Sequence, residues 1–132
     1  MNLKDIISRL DINADWVGLR EYKENTTYHV IRDKNPLSND TSIDHGIMVE
    51  ALKDGQFGYS GTSDLSFDGI NKAAKLALDN ASKASKHSIF SFNSDVRPSS
   101  EGTYETPLAL PFDSLSVGEI NNILMKANDW LK

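Results

Sequence analysis

At 132 residues and without cysteine, the chain is long enough to build a core without disulfide or thiolate–metal staples, and thiol chemistry is excluded. A net charge of -5 with Lys and Arg scattered along the sequence argues against a nucleic-acid groove, which needs a basic stripe to replace phosphate counterions. No run approaches the length of a bilayer span and the N-terminus lacks the apolar core of a signal peptide, so a cytoplasmic protein without membrane contact is expected.

Leu3, Ile6, Ile7 and Leu10 recur at helical spacing behind a capping Asn2, which predicts a short amphipathic helix over residues 3 to about 11. From Ala14 to Tyr22 the period falls to two. A second such run, Thr26 to Arg32, carries Thr26, Tyr28, Val30 and Ile31, whose branched and aromatic side chains suit a pleated surface. Lys23-Glu24-Asn25 is expected to join the two as an antiparallel hairpin. The polar stretch from Asp33 to His45, dense in turn formers and containing Pro36, reads as a loop.

Two further strand-like runs flank Asp54-Gly55, a pair that suits a two-residue turn with positive φ at both positions. With Lys53 opposite Gln56, side-chain alternation places Ile47, Val49 and Ala51 on one face with Gly58 and Ser60. Met48, Glu50, Leu52, Phe57 and Tyr59 then share the other. Both faces carry apolar groups, so each is expected to be covered. Ser66 caps a helix from Phe67 to about Lys86 whose stripe of Ile70, Ala73, Ala74, Ala77, Ala81 and Ala84 is small enough for its axis to lie close to Gly58 and Ser60. Beyond it, Ile89-Phe90-Ser91-Phe92 suggests a short strand and Pro98 to Pro111 an irregular passage. Ser116 and Glu119 form a capping-box pattern ahead of a last amphipathic helix with Ile120, Ile123, Leu124, Ala127 and Leu131.

Strands in succession followed by a long helix predict an α+β fold. The expected architecture is an antiparallel sheet of about four strands, with the alanine-rich helix packed on one face, shorter helices at the termini, and a single domain over residues 1 to 132.

No catalytic or metal-binding set is legible. His29, His45 and His87 are far apart and none has a histidine at i+4. Gly58-Tyr59-Ser60-Gly61-Thr62 lacks the last glycine and the strand-to-helix turn of a nucleophile elbow. Asp33, Asn35, Asp40 and Asp44 do not fall at calcium-loop positions, and Ser38 stands where the loop requires glycine. Trp16, Tyr28, Phe57 and Tyr59, without a basic surround, read as core or interface groups rather than a base-stacking platform. The candidate interface or peptide-contact face is therefore Met48, Glu50, Leu52, Phe57 and Tyr59, whose mixed polarity suits a surface awaiting another domain. An open strand edge is a second candidate, since an extended peptide can add to it.

Gly46, Val49, Asp54-Gly55, Gly58-Tyr59, Thr62 and Asp64-Leu65-Ser66, followed by the alanine-rich helix, resemble the N-terminal domain of the TldD/PmbA family, once called modulators of DNA gyrase and regarded as zinc metallopeptidases. Ala14-Asp15-Trp16-Val17 is similar to the family's first strand and Arg32-Asp33 to the turn after its second. Glu50 stands where members often carry a basic residue, and Gly61 where serine is usual. The family's metal-binding His-Glu-x-x-x-His helix has no counterpart in these residues, so no catalytic residue is carried over and zinc is expected in a catalytic domain that this sequence lacks. The resemblance implies a non-catalytic module of a metallopeptidase, whose partners would be its own C-terminal catalytic domain, a homologous subunit and a peptide substrate. The alternative is a free-standing α+β binding or adaptor protein without peptidase activity.

Overall fold

Three strands, β1 (Trp16–Arg32), β2 (Asn35–Lys53) and β3 (Gln56–Thr62), form one antiparallel sheet in the order β1-β2-β3 in the computed structural model, which describes residues 1–131. With them are the helices α1 (Leu3–Arg9), α2 (Phe67–Ser85) and α3 (Val117–Trp130). The α+β class holds, with three strands in place of about four. The chain forms two compact units, one of Met1–Glu24 with Asp44–Ser100, the other of Asn25–Ile43 with the chain from Glu101 onward. Among the described residues no helix is long and apolar enough to cross a membrane.

The difference in strand number comes from where the first hairpin turns. No reversal forms at Lys23-Glu24-Asn25, and β1 continues through it. The chain turns instead at Asp33-Lys34, with φ of 48° and 67°. A two-residue turn follows strand twist only with positive φ at both positions, a conformation that aspartate tolerates better than most residues. Asn35 closes the turn by donating from Nδ2 to the Asp33 carbonyl at 3.1 Å. The expected loop from Asp33 to His45 is thus mostly strand, because its polar side chains find partners along the ribbon. Thr27 and Thr41 hydroxyls lie 3.3 Å apart, and His29 Nδ1 is 2.7 Å from Asn39 Oδ1. In the same unit Lys34 Nζ pairs with Asp129 Oδ1 on α3 at 2.6 Å, and α3 opens with the expected capping box between Ser116 and Glu119. Those bonds from Ser116 hold the exposed Glu119 carboxyl below its ordinary range.

In the first unit the hairpin of β2 and β3 has the expected register, Lys53 opposite Gln56 through Ile47 opposite Thr62, around Asp54 and Gly55 with φ of 50° and 78°. Its inner face supplies Ile47, Val49 and Ala51, all buried. Against them lie Ile70, Ala73, Ala74 and Ala77 of α2, with Ile6 of α1 completing the cluster. Burying a side chain the size of isoleucine contributes about 1.5–3 kcal/mol, so the two isoleucines of α2 and β2 outweigh the alanines around them. What the alanines supply is proximity. A β-carbon built on Gly58 would stand 2.1 Å from the Ala77 carbonyl oxygen and 2.4 Å from the Ala81 nitrogen, so helix backbone touches strand backbone there.

Ser66 caps α2 by accepting from the Gly69 amide at 3.1 Å. The exposed Asp64 carboxyl is held below its usual range first by the Ser66 side chain and then by the Ser66 amide, which donates to it at 3.0 Å. Ser66→Ala is expected to cost about 1 kcal/mol, read as a lower urea midpoint at unchanged m-value.

Candidate functional site

On the outer face of the β2–β3 hairpin, Leu52 pairs with Phe57 and Glu50 with Tyr59, while Met48 stands opposite Gly61. Strand alternation therefore brings all five expected residues to one surface. They are not equally available. Leu52 is buried and Glu50 and Phe57 are half-buried, whereas Met48 and Tyr59 remain 46% and 48% exposed.

The cover over the Leu52 end comes from residues 89–97, and it is not the strand expected at Ile89-Phe90-Ser91-Phe92. That segment is irregular and ends in a single 3-10 turn, Ser94–Val96. Its backbone is fastened to the hairpin turn, where the Phe92 amide donates to the Gly55 carbonyl at 2.8 Å and Gln56 Nε2 donates to the Phe90 carbonyl. A strand needs a ladder of such bonds, and here the aromatic side chains take over the anchoring instead. The Phe92 ring lies 5.7 Å from Phe57 and 5.0 Å from Phe90, and Trp16 meets the other side of Phe57 edge-on at 6.1 Å.

Arg97 completes the cover. Its Nε donates to Glu50 Oε1 at 3.0 Å and its guanidinium lies over the Phe57 ring, 5.3 Å from the centroid. Glu50 first, and the Tyr59 hydroxyl second, raise the Arg97 pKa above its ordinary value, so the guanidinium stays charged. The pairing explains why a carboxylate is tolerated on an apolar face. Between this segment and β3 an open groove of about 310 Å³ remains, walled by Phe57, Tyr59, Phe92, Val96 and Arg97.

Sequence reading missed Phe92 and Arg97 as members of this face. One signal was available: Arg97 is the only Lys or Arg between Lys86 and Lys126, and Lys53, the one cation of the β2–β3 hairpin, alternates to the face opposite Glu50 and pairs with Asp15. Of the other aromatics, Trp16 joins the face, while Tyr28 belongs to the second unit.

The histidines stand apart from this surface. His45 Nε2 is 2.9 Å from Glu21 Oε1, a strand-to-strand pair, and His29 contacts Asn39. Among the described residues no three His, Cys, Asp or Glu side chains gather as a metal site would require. The arrangement therefore suits contact, with an aromatic wall, a neutralised ion pair and exposed Met48 and Tyr59, and it brings together no nucleophile, base and orienting group.

The family described as PmbA/TldA metallopeptidase domain 1 matches residues 17–81, from β1 through most of α2, and the matched segment holds all five face residues. No curated protein and no solved structure matches the chain.

Proposed function

Because residues 17–81 belong to the PmbA/TldA metallopeptidase domain 1 family, we propose that the chain is the non-catalytic N-terminal module of a zinc metallopeptidase of that kind, helping to enclose a peptide substrate and contributing to subunit contact. The family match is the observation that carries this reading. It is supported by the half-open face, where Met48 and Tyr59 leave apolar area exposed beside a braced ion pair. In this reading metal and chemistry belong to a separate catalytic domain that carries the His-Glu-x-x-x-His helix, in keeping with the lack of a three-ligand cluster among the described residues. Its partners are that domain, a homologous subunit and the peptide. Cytoplasmic placement accompanies the same reading and accords with a sequence free of cysteine.

The test is co-expression with the polypeptide that bears the metal-binding helix, followed by co-purification. The pair is expected to copurify, and Met48→Asp with Tyr59→Asp should weaken retention about tenfold or more, because a charge forced into an interface core is left unpaired. Circular dichroism should stay unchanged, since both side chains are half exposed. Absence of copurification by the wild-type chain would overturn the proposal and favour the adaptor reading.

A further inference from the structure

We infer that the free edge of β3 is a docking strip for an extended peptide segment, which adds there as a fourth strand. The inference rests on the proposed role in peptide handling for the identity of the occupant, and on the hairpin's hydrogen-bond parity for the place.

β3 is the last strand of the sheet, and among the described residues no other strand is bonded to its far side. Because Lys53 and Gln56 flank a two-residue turn, they form a mutually hydrogen-bonded pair, and such pairs alternate along the ladder. Gln56, Gly58, Ser60 and Thr62 therefore spend their backbone groups on β2. Phe57, Tyr59 and Gly61 direct theirs outward, at a repeat of roughly 6.8 Å that matches the repeat of another extended chain. One outward group is already satisfied, since Asn80 Nδ2 donates to the Tyr59 carbonyl at 3.0 Å. That leaves three outward amides and two carbonyls.

Edge strands are commonly protected by charge, proline or a bulge. Gln56-Phe57-Gly58-Tyr59-Ser60-Gly61-Thr62 has no charged residue and no proline, and its register with β2 is unbroken. Space for alternate side chains exists on both faces of β3. On one side lies the groove bounded by Phe57, Tyr59 and Arg97, and on the other a groove of about 260 Å³ bounded by Gly61, Lys72 and Leu76. An incoming strand would direct successive side chains to the two faces in turn. The edge is short, which favours a peptide over a second copy of the chain, because seven residues of strand are little against the roughly 1,200 Å² that a stable protein–protein contact buries.

The test is amide hydrogen exchange by NMR on the full chain, with and without millimolar acetyl-Val-Thr-Val-Thr-Val-amide. Without peptide, the amides of Phe57, Tyr59 and Gly61 should exchange at least about tenfold faster than those of Gly58 and Ser60, which bond to β2. Saturating peptide should slow Phe57 and Gly61 about tenfold. Gly61→Pro removes one outward donor and should weaken the peptide about fivefold, the worth of one ordinary hydrogen bond. Gly61→Ala should leave binding within about twofold, because its β-carbon would meet only Ile47 O at 3.8 Å and Met48 Cε at 3.9 Å. Three results overturn the inference: no peptide binding, binding without protection of these amides, or protection that appears without peptide and grows with protein concentration, which would identify a second copy as the occupant. The protection pattern needs no variant, so a proline substitution that unfolds the chain does not obscure it. Copurification through Met48 and Tyr59 is read separately, so failure at the edge and failure of the module reading are distinguishable.

Discussion

Replacing Gly58 by alanine should unseat α2 from the sheet and lower stability by about 3 kcal/mol, at the upper end of what overpacking usually costs. The added methyl would sit 2.1 Å from the Ala77 carbonyl oxygen and 2.4 Å from the Ala81 nitrogen. Both obstacles are main chain, so trimming a neighbouring side chain cannot relieve them. Either the helix lifts, opening the contacts of Ala74 and Ala77 with Val49 and Ala51, or β3 bends away from β2. Thermal unfolding should fall by about 10 °C for a chain of this size. Gly61→Ala, with ordinary contacts near 3.8 Å, should stay within about 0.5 kcal/mol of wild type. Equal effects from the two substitutions would show that strand propensity, and not the close approach of α2, governs this hairpin.

Ile70→Ala should cost about 3–4 kcal/mol in urea unfolding, the largest loss expected from any single truncation on α2. Ile70 is fully buried and belongs to one cluster with Ile6, Ile47 and Val49. The other buried residues of that helix are Gly69 and alanines, so none of them has the bulk to fill the cavity. Domains of this kind have total stabilities of only about 5–15 kcal/mol, and the variant should be partly unfolded at physiological temperature. Ile123→Ala on α3, where the side chain is 54% exposed, should change stability by less than about 0.5 kcal/mol. A small effect at Ile70 would mean that α2 is held mainly by its backbone contact with β3.

These two expectations differ in how far the sequence alone reaches them. Ile70 and the alanine stripe were legible because a helix repeats every 3.6 residues and its buried positions declare themselves by spacing. The same is true of the β2–β3 hairpin, where Asp54-Gly55 sets the register and the register assigns Met48, Glu50, Leu52, Phe57 and Tyr59 to one face. Gly58 was suggestive for the same reason, since small residues opposite small residues imply close approach.

Local information misled at the first hairpin. Asn, Asp and Ser crowd residues 33 to 44 as they would in a loop, yet Asn39 and Thr41 find cross-strand partners and the positive φ values of Asp33 and Lys34 take the turn. The choice between Lys23-Glu24-Asn25 and Asp33-Lys34 depends on which reversal lets the most backbone groups pair, and that is a property of the whole ribbon.

By itself the sequence determined the helices and their caps, the register around Gly55 and the five residues of the outer face, because each follows from periodicity or turn chemistry within a few residues. Only the tertiary structure decided that Phe92 and Arg97 cover the Leu52 end of that face and that Met48 and Tyr59 stay open. It also decided that β3 is an outer strand. Arg97 and Glu50 are 47 residues apart, and no local pattern encodes a contact that forms only when an irregular segment folds back across a finished sheet.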